Sequence, residues 1–192
     1  MLISVEGLDG AGKTTLIAGL APALGATALR EPGGVELSER IRTLVADPEL
    51  AVDARAEALL YAAARAQLVA ERLRPLLADG GTVVLDRYVD SSLAYQGGGR
   101  ELGVEAIREL NVFGTGGLIP DRTLLLRIDP ERGLARIADR GADRLELAGG
   151  EFFARVAHTY DALAAAEPDR FVVLDATEPP DTVLAAALKA LS

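Results

Sequence analysis

Apolar positions along this chain fall into two alternating patterns, short continuous runs and longer segments with helical spacing. The continuous runs predict strands at residues 1–6, 26–29, 82–86, 123–129 and 171–175. Strands buried on both faces have such runs, whereas a strand with one solvated face alternates between apolar and polar residues. The pattern therefore predicts a parallel sheet of about five strands, which is a usual sheet size.

Segments with helical spacing separate these strands. They predict helices at 14–24, 36–45, 53–78, 87–95, 104–113, 130–139, 151–166 and 181–191. Gly97, Gly98 and Gly99 are expected to end the helix after the third strand, and residues 140–150 are expected to form a polar loop. Because strands alternate with helices, we predict an α/β fold, a single domain over 1–192 with helices on both faces of the sheet.

The first predicted strand and helix are joined by a glycine-rich segment with the spacing G-x-x-x-x-G-K-[ST], which is that of a phosphate-binding loop. Backbone N–H groups of such a loop and the following helix N-terminus bind phosphate oxygens. Lys13 can reach the outer phosphates, and the Thr14 hydroxyl can ligate Mg²⁺. The predicted ATP-binding residues are Gly7, Leu8, Asp9, Gly10, Ala11, Gly12, Lys13, Thr14 and Thr15. Lysine occurs elsewhere only at Lys189, which argues against a chance glycine-rich turn.

Composition narrows the class of protein. The net charge of −9 disfavours a nucleic-acid groove, so a negatively charged substrate must be met by local arginines. Hydrophobic residues make up 49% of the chain, but no apolar run is long enough to span a bilayer. No signal peptide is expected ahead of the first strand. The chain has no cysteine, which excludes disulfides and a thiol nucleophile and fits a cytoplasmic location.

A phosphate-binding loop alone leaves GTPase switches, ATP-driven machines and small-molecule kinases open. The chain has no Asn-Lys-x-Asp segment, and Leu8 occupies the position of the extra lysine of partition-type ATPases. A compact kinase with a small acceptor is favoured. Asp86 and Arg87 end a predicted strand, where the acid can join the Mg²⁺ shell and the arginine can hold an anionic acceptor. Asp129 ends a similar run and competes with Asp86, and spacing does not separate the two.

Several of these residues are expected to meet at one edge of the sheet. Ligands of open α/β sheets bind beyond the carboxyl ends of the strands. The phosphate-binding loop and four further residues lie at such ends and should cluster there: Arg30, Asp86, Asp129 and Asp175.

The chain resembles the thymidylate kinase family in motifs that occur in family order over nearly its whole length. The matching segments lie at 6–15, 30–34 (Arg-Glu-Pro-Gly-Gly), 61–67, 86–97 (with Asp-Arg-Tyr and Ala-Tyr-Gln), 139–146 and 152–160. The resemblance implies a P-loop kinase fold and an enzyme that phosphorylates dTMP to dTDP with ATP and Mg²⁺, in dTTP biosynthesis. It also implies a homodimer, and from composition and charge we expect neither a nucleic-acid nor a membrane partner.

The resemblance also implies roles for residues that hold the phosphate and sugar of dTMP. Asp9 lies near the sugar 3′-hydroxyl and the metal shell. Arg42 and Arg87 bind the acceptor phosphate. Tyr95 crowds the sugar 2′ position and selects deoxyribose.

For the base, the resemblance implies that Tyr61 stacks on thymine and that Arg65 reads a base carbonyl, helped by Ser92 and Gln96. Tyr61 and Arg65 are four residues apart on a predicted helix, so they share one face. A ring and a donor on one face can hold one planar base. Without the family pattern, a surface tyrosine and a solvated arginine would be favoured.

The transferring phosphoryl group needs positive charge more than a general base, because the attacking phosphate oxygen is already ionised. His158, the single histidine, is therefore expected to be structural. The resemblance implies that a lid over about 136–150 supplies catalytic arginine, and the candidates are Arg136, Arg140 and Arg144. Arg140 is the main candidate, assisted by Arg144 or Arg136, and these arginines would add to the positive charge of Lys13 and Arg87. A monophosphate kinase for another base and a non-catalytic nucleotide-binding regulator are the alternatives.

Overall fold

The computed structural model of the chain describes residues 1–137 and 144–192. Within these residues, a central five-stranded sheet has the order β2-β3-β1-β4-β5, and every neighbouring pair is parallel. The strands are β1 (Leu2–Gly7), β2 (Thr27–Arg30), β3 (Val83–Asp86), β4 (Arg122–Arg127) and β5 (Phe171–Asp175). β1 is buried along its whole length because it pairs on both edges and lies under helices. The predicted parallel α/β fold is confirmed.

Helices cover the sheet. They are α1 (Lys13–Ala23), α2 (Glu36–Ala46), α3 (Ala54–Leu68), α4 (Arg74–Ala78), α5 (Val89–Ser92), α6 (Val104–Thr115), α7 (Pro130–Arg136), α8 (Gly150–Ala166) and α9 (Pro180–Leu191). A π-helical segment, Val69–Leu73, joins α3 to α4, and a second one, Leu93–Gly99, continues α5. A 3₁₀ turn, Glu146–Ala148, precedes α8. α1 packs against α9, while α8 packs against the second π-helical segment and α3 packs against α6.

One predicted boundary is wrong. Gly97, Gly98 and Gly99 do not end the helix after β3, since the backbone stays helical through Gly99. A Cβ atom at Gly98 or Gly99 would collide with Thr159 or Phe152 of α8. These glycines therefore allow α8 to pack closely, and that packing outweighs the usual cost of glycine in a helix.

The other differences from the predicted boundaries are small. The predicted helix over 53–78 is interrupted by the first π-helical segment. α7 ends at Arg136, before the predicted end at residue 139, and residues 138–143 lie outside the described residues. None of the described helices is both long enough and apolar enough to cross a bilayer.

Candidate active site

The phosphate-binding loop leaves β1 at Gly7 and enters α1 at Lys13. Gly7 and Gly10 have φ angles of 136° and 77°, which L side chains rarely adopt. A Cβ atom at Gly7 would lie 2.5 Å from the Leu126 carbonyl oxygen, so the loop needs glycine there for space as well. The sequence motif therefore takes the shape that its glycines permit, with α1 starting directly behind it.

The Lys13 ammonium group is folded back over this loop. Its Nζ donates to the carbonyl oxygens of Gly7 and Leu8, at 3.2 and 2.9 Å. Burial, followed by repulsion from Arg87, lowers the pKa of Lys13 to about 8. Lys13 thus lies at the loop with its charge poorly solvated, which strengthens its attraction for any anion that enters.

An open cleft of about 490 Å³ lies beside the loop. Its lining includes Lys13, Thr14, Arg30, Arg42, Asp86, Arg87 and Arg136. The Thr14 hydroxyl lies 3.5 Å from Asp86 Oδ2, so the two predicted metal ligands are neighbours. Within the described residues, no group of three or more His, Cys, Asp or Glu side chains could hold a metal ion by itself.

Asp129 and Asp175 do not join this cleft, contrary to the prediction of a single cluster. The Asp129 carboxylate caps α7, where Oδ1 accepts from the Glu131 N–H at 3.0 Å. The Asp175 carboxylate accepts from the N–H and hydroxyl of Thr177. Both line a separate cavity of about 580 Å³ toward α8. β4 lies on the far side of β1 from β3, which separates Asp129 from Asp86.

The Arg87 guanidinium is the centre of a compact ionic group. It donates to Asp9 Oδ1 at 2.8 Å, to the Tyr95 hydroxyl at 3.1 Å and to the Gly7 carbonyl at 3.1 Å. The Tyr95 hydroxyl donates in turn to Asp9 Oδ2 at 3.2 Å. Although burial alone would raise the pKa of Asp9, attraction to Arg87 and Lys13 holds it well below its ordinary value. Burial raises the pKa of Tyr95 far above neutrality, so this hydroxyl keeps its proton.

The backbone of Arg87 is strained, with a φ angle of 67° in the left-handed region. Glu6, buried in β1, fixes the residues that follow Arg87 through hydrogen bonds to its carboxylate. Its carboxylate accepts from the Tyr88 N–H at 2.7 Å, the Ser91 hydroxyl at 2.5 Å and the Tyr160 hydroxyl at 2.9 Å. Burial, with repulsion from Asp90, raises the pKa of Glu6 to about 7.

A second, smaller pocket of about 130 Å³ adjoins the cleft, and Asp9, Arg42 and Arg87 line both. All eight residues predicted for the acceptor line this pocket: Asp9, Arg42, Tyr61, Arg65, Arg87, Ser92, Tyr95 and Gln96. They come from the phosphate-binding loop, α2, α3 and the chain that follows β3. His158 is exposed on α8 and lines neither this pocket nor the cleft.

Arg65 is buried at the wall of this pocket, and its guanidinium is largely occupied. Nε donates to Glu31 at 2.6 Å, Nη2 to the Tyr88 carbonyl at 2.9 Å, and Nη1 to Ser92 and Asn111. Within the described residues, these bonds use four of its five N–H groups. One N–H of Nη2 remains for a ligand, which fits a single base carbonyl.

Two partners of Arg65 were missed by sequence reasoning. Glu31 lies within the Arg-Glu-Pro-Gly-Gly segment, which was a usable signal, but Asn111 lies within α6 and nothing in its local pattern marked it. Burial raises the pKa of the Glu31 carboxyl to about 7, and Arg65 partly opposes this effect.

Two of the three arginines predicted for a lid lie at opposite ends of the site. Arg136 donates from Nη1 to the carbonyl oxygens of Gly10 and Ala176, at 3.2 and 3.1 Å, and lines the cleft. Arg144 donates to the Val45 carbonyl at 3.1 Å and forms an ion pair with Glu57 at 2.7 Å, on the side of the smaller pocket. Arg140, the main catalytic candidate, lies outside the described residues.

Comparisons with known proteins show which family and which fold the chain resembles. The family model described as thymidylate kinase matches residues 5–187. The chain is 50% identical to the thymidylate kinase of Deinococcus radiodurans, with 100% of this chain and 96% of the relative covered. It is 49% identical to that of Oenococcus oeni, covering 97% and 92%. A crystal structure of thymidylate kinase from Ehrlichia chaffeensis superposes with a TM-score of 0.83 at 28% identity, covering 100% of this chain and 97% of the other.

Proposed function

The chain belongs to the thymidylate kinase family, and we propose that it transfers the γ-phosphoryl group of ATP to dTMP, which yields dTDP and ADP for dTTP biosynthesis. The observation that carries this proposal is the pocket of about 130 Å³ that opens beside the phosphate-binding loop. A donor cleft and an acceptor pocket that share Asp9 and Arg87 can hold two nucleotides with their phosphates facing each other. One catalytic domain over 1–192 carries both.

The donor phosphates occupy the loop of residues 7–15. Its N–H groups and the N-terminus of α1 bind the phosphate oxygens, and Lys13 neutralises charge on the outer phosphates. Mg²⁺ fits the oxygen donors Thr14 and Asp86, because this ion prefers oxygen ligands and completes its shell with phosphates and water. When bound, the ion supplies positive charge to the phosphate oxygens.

The acceptor dTMP occupies the smaller pocket. Arg42 and Arg87 bind its phosphate, and Asp9 lies near its 3′-hydroxyl. Tyr61 stacks on thymine, the remaining Arg65 N–H reads a base carbonyl, and Ser92 and Gln96 assist. Tyr95 crowds the sugar 2′ position, since its hydroxyl is tied to Asp9 and its ring lies under the Arg87 guanidinium, 4.8 Å from it.

Catalysis in this arrangement depends on position and positive charge. The acceptor phosphate is an ionised nucleophile, so repulsion between two anions is the main obstacle. Lys13 and Arg87, both poorly solvated, offset that repulsion at the transferring group. Arg136 can join them, because it already contacts the loop at Gly10. The assignment of Arg140 as the main lid arginine, assisted by Arg144 or Arg136, stays a prediction.

The enzyme forms a homodimer in this proposal. Large apolar side chains are exposed on three helices that pack side by side, α2, α3 and α6. They are Leu37, Leu44, Leu59, Val112 and Phe113, and Phe113 is 88% exposed. Exposed large apolar side chains on neighbouring helices support a protein–protein interface on this face. Size-exclusion chromatography with light scattering tests it, and Phe113→Glu should shift the protein toward the monomer. We propose a cytoplasmic location.

A panel of acceptors tests the proposed reaction. With ATP and Mg²⁺, dTMP should release ADP well above background, and dUMP should be a poorer acceptor by about ten- to a hundredfold in kcat/KM, since it lacks one methyl group. AMP, GMP and CMP distinguish the alternative base specificities. If ATP bound without acceptor-dependent ADP release, a nucleotide-binding regulator would be correct. If another monophosphate replaced dTMP as the best acceptor, the thymine assignment would be wrong.

A further inference from the structure

A buried carboxylate stands directly behind the acceptor pocket. Glu57 lies in the first turn of α3, is 0% exposed and does not itself line the pocket. Its Oε1 accepts a hydrogen bond from Gln96 Nε2 at 2.8 Å. Its Oε2 pairs with Arg144 at 2.7 Å and with Arg100 at 3.0 Å. Each of these contacts uses the Glu57 carboxylate as an acceptor.

These contacts determine which way the Gln96 amide faces. The Glu57 carboxylate faces two guanidinium groups, which only donate, so its oxygens act as hydrogen-bond acceptors here. An amide has a donor end and an acceptor end, and only its neighbours decide between the two orientations. Because Nε2 is bound to Glu57, the Oε1 atom of the Gln96 amide remains available to a ligand. No described residue donates to that oxygen, while Gln96 lines the acceptor pocket and is 2% exposed.

We propose that Glu57 is a positioning residue for base selection: by holding Gln96 Nε2, it presents Gln96 Oε1 to the acceptor as a fixed hydrogen-bond acceptor. This inference rests on the proposed function. Thymine carries an N–H at position 3 and can donate to that oxygen. Cytosine carries a bare nitrogen there, whose lone pair would face the oxygen and leave it unsatisfied. Uracil shares the N–H with thymine, so Glu57 selects against cytosine bases and leaves the methyl group to other contacts.

The test compares dTMP with 5-methyl-dCMP, because these two nucleotides share the methyl group, sugar and phosphate and differ only at positions 3 and 4. Dissociation constants of both are measured by calorimetry on wild-type protein and on Glu57→Gln. In this variant two amides face each other, so Gln96 can turn and present its N–H₂ group to the base. The preference for dTMP over 5-methyl-dCMP should fall by about tenfold or more.

Two further variants show whether the effect passes through Gln96. Arg100→Gln removes another partner of the same carboxylate, lies outside the pocket lining and should leave the preference unchanged. The exchange variant E57Q/Q96E keeps the net charge and returns an oxygen to the pocket, so it should restore the preference. An unchanged preference in Glu57→Gln, an equal loss in Arg100→Gln or no recovery in the exchange variant would each overturn the inference.

The inference can still be tested if the Glu57→Gln variant does not fold. If circular dichroism shows that Glu57→Gln is unfolded, Gln96→Glu asks the same question, because both of its side-chain atoms are oxygens. It should keep the preference for dTMP whatever its absolute rate, and a lost preference would mean that Nε2 is the atom that faces the base. A failure of wild-type protein to phosphorylate dTMP would instead reject the proposed function, which is a separate measurement.

Discussion

Replacement of Arg87 by alanine should separate catalysis from stability in this site. The guanidinium is 17% exposed and makes its closest contact with Asp9, at 2.8 Å. Its loss removes the charge that we propose meets the acceptor phosphate, and removal of one such preorganised donor typically lowers kcat by about 10²- to 10³-fold. It also leaves the Asp9 carboxylate largely buried with Lys13, 4.0 Å away, as its other cation.

The unpaired Asp9 carboxylate gives a second measurable effect, a loss of stability. Breaking a buried ion pair from one side costs about 3–5 kcal/mol when the remaining charge is fully buried. Since Asp9 is 23% exposed, screening by water reduces that cost, and we expect about 1–3 kcal/mol in the free energy of unfolding. The double variant Arg87→Ala/Asp9→Asn removes the unpaired charge. It should therefore regain part of the stability without regaining kcat.

The assays are steady-state ADP release at saturating ATP and dTMP, and urea unfolding followed by circular dichroism. Arg40→Ala is the matched control, because Arg40 pairs with Glu36 on the surface, where both side chains are at least 75% exposed. It should change neither kcat nor stability appreciably. A near-normal kcat in Arg87→Ala would remove this residue from the mechanism, and a double variant no more stable than the single one would refute the account of Asp9.

Three further predictions concern selectivity, the lid and pH. Tyr95→Ala should relax the preference for dTMP over the matching ribonucleotide by about tenfold, because it opens space at the 2′ position. An unchanged ratio of kcat/KM between these two acceptors would contradict this role. Arg136→Ala should lower kcat by roughly tenfold or more with little change in the KM for ATP, because the contact strengthens in the transition state. A wild-type kcat in this variant would instead make Arg136 a structural residue. Burial raises the pKa of Glu31 from 4.5 to about 7, so the folded protein binds a proton that the unfolded chain has released within this window. Stability should therefore decrease as pH rises from 4.5 to 7, and the decrease in Tm should be smaller in Glu31→Gln; an equal decrease would show that other groups cause it.

The sheet and the phosphate-binding loop could be predicted because their signals are local. Continuous apolar runs are typical of strands buried on both faces, and β1 is buried at every position. The helix break predicted at Gly97–Gly99 failed because it considered glycine alone, while the close packing of α8 on these glycines decides the outcome. Such a contact joins residues more than 50 positions apart in the sequence, which no local window contains.

The same limit applies to the site. The eight residues predicted for the acceptor were found through motifs and line the smaller pocket, but the carboxylates that bind two of them, Glu31 and Glu57, were not. Glu57 lies in an alanine-rich helix where a charged residue usually faces water, and its burial depends on Arg100 and Arg144 from distant segments. Asp86 and Asp129 looked equivalent in the sequence. The strand order separates them, because β3 and β4 lie on opposite sides of β1.

The contact between the phosphate-binding loop and α7 has a consequence for protein engineering. A Cβ atom at Gly133 would lie 2.8 Å from the Asp9 carbonyl oxygen, and one at Gly10 would collide with the backbone of Gly133. Arg136, the last residue of α7, is bound to the Gly10 carbonyl. The loop and α7 are therefore closely packed against each other, up to Arg136. Lid segments taken from other members of the family should therefore be joined after Arg136, where a graft leaves the contact between α7 and the loop unchanged.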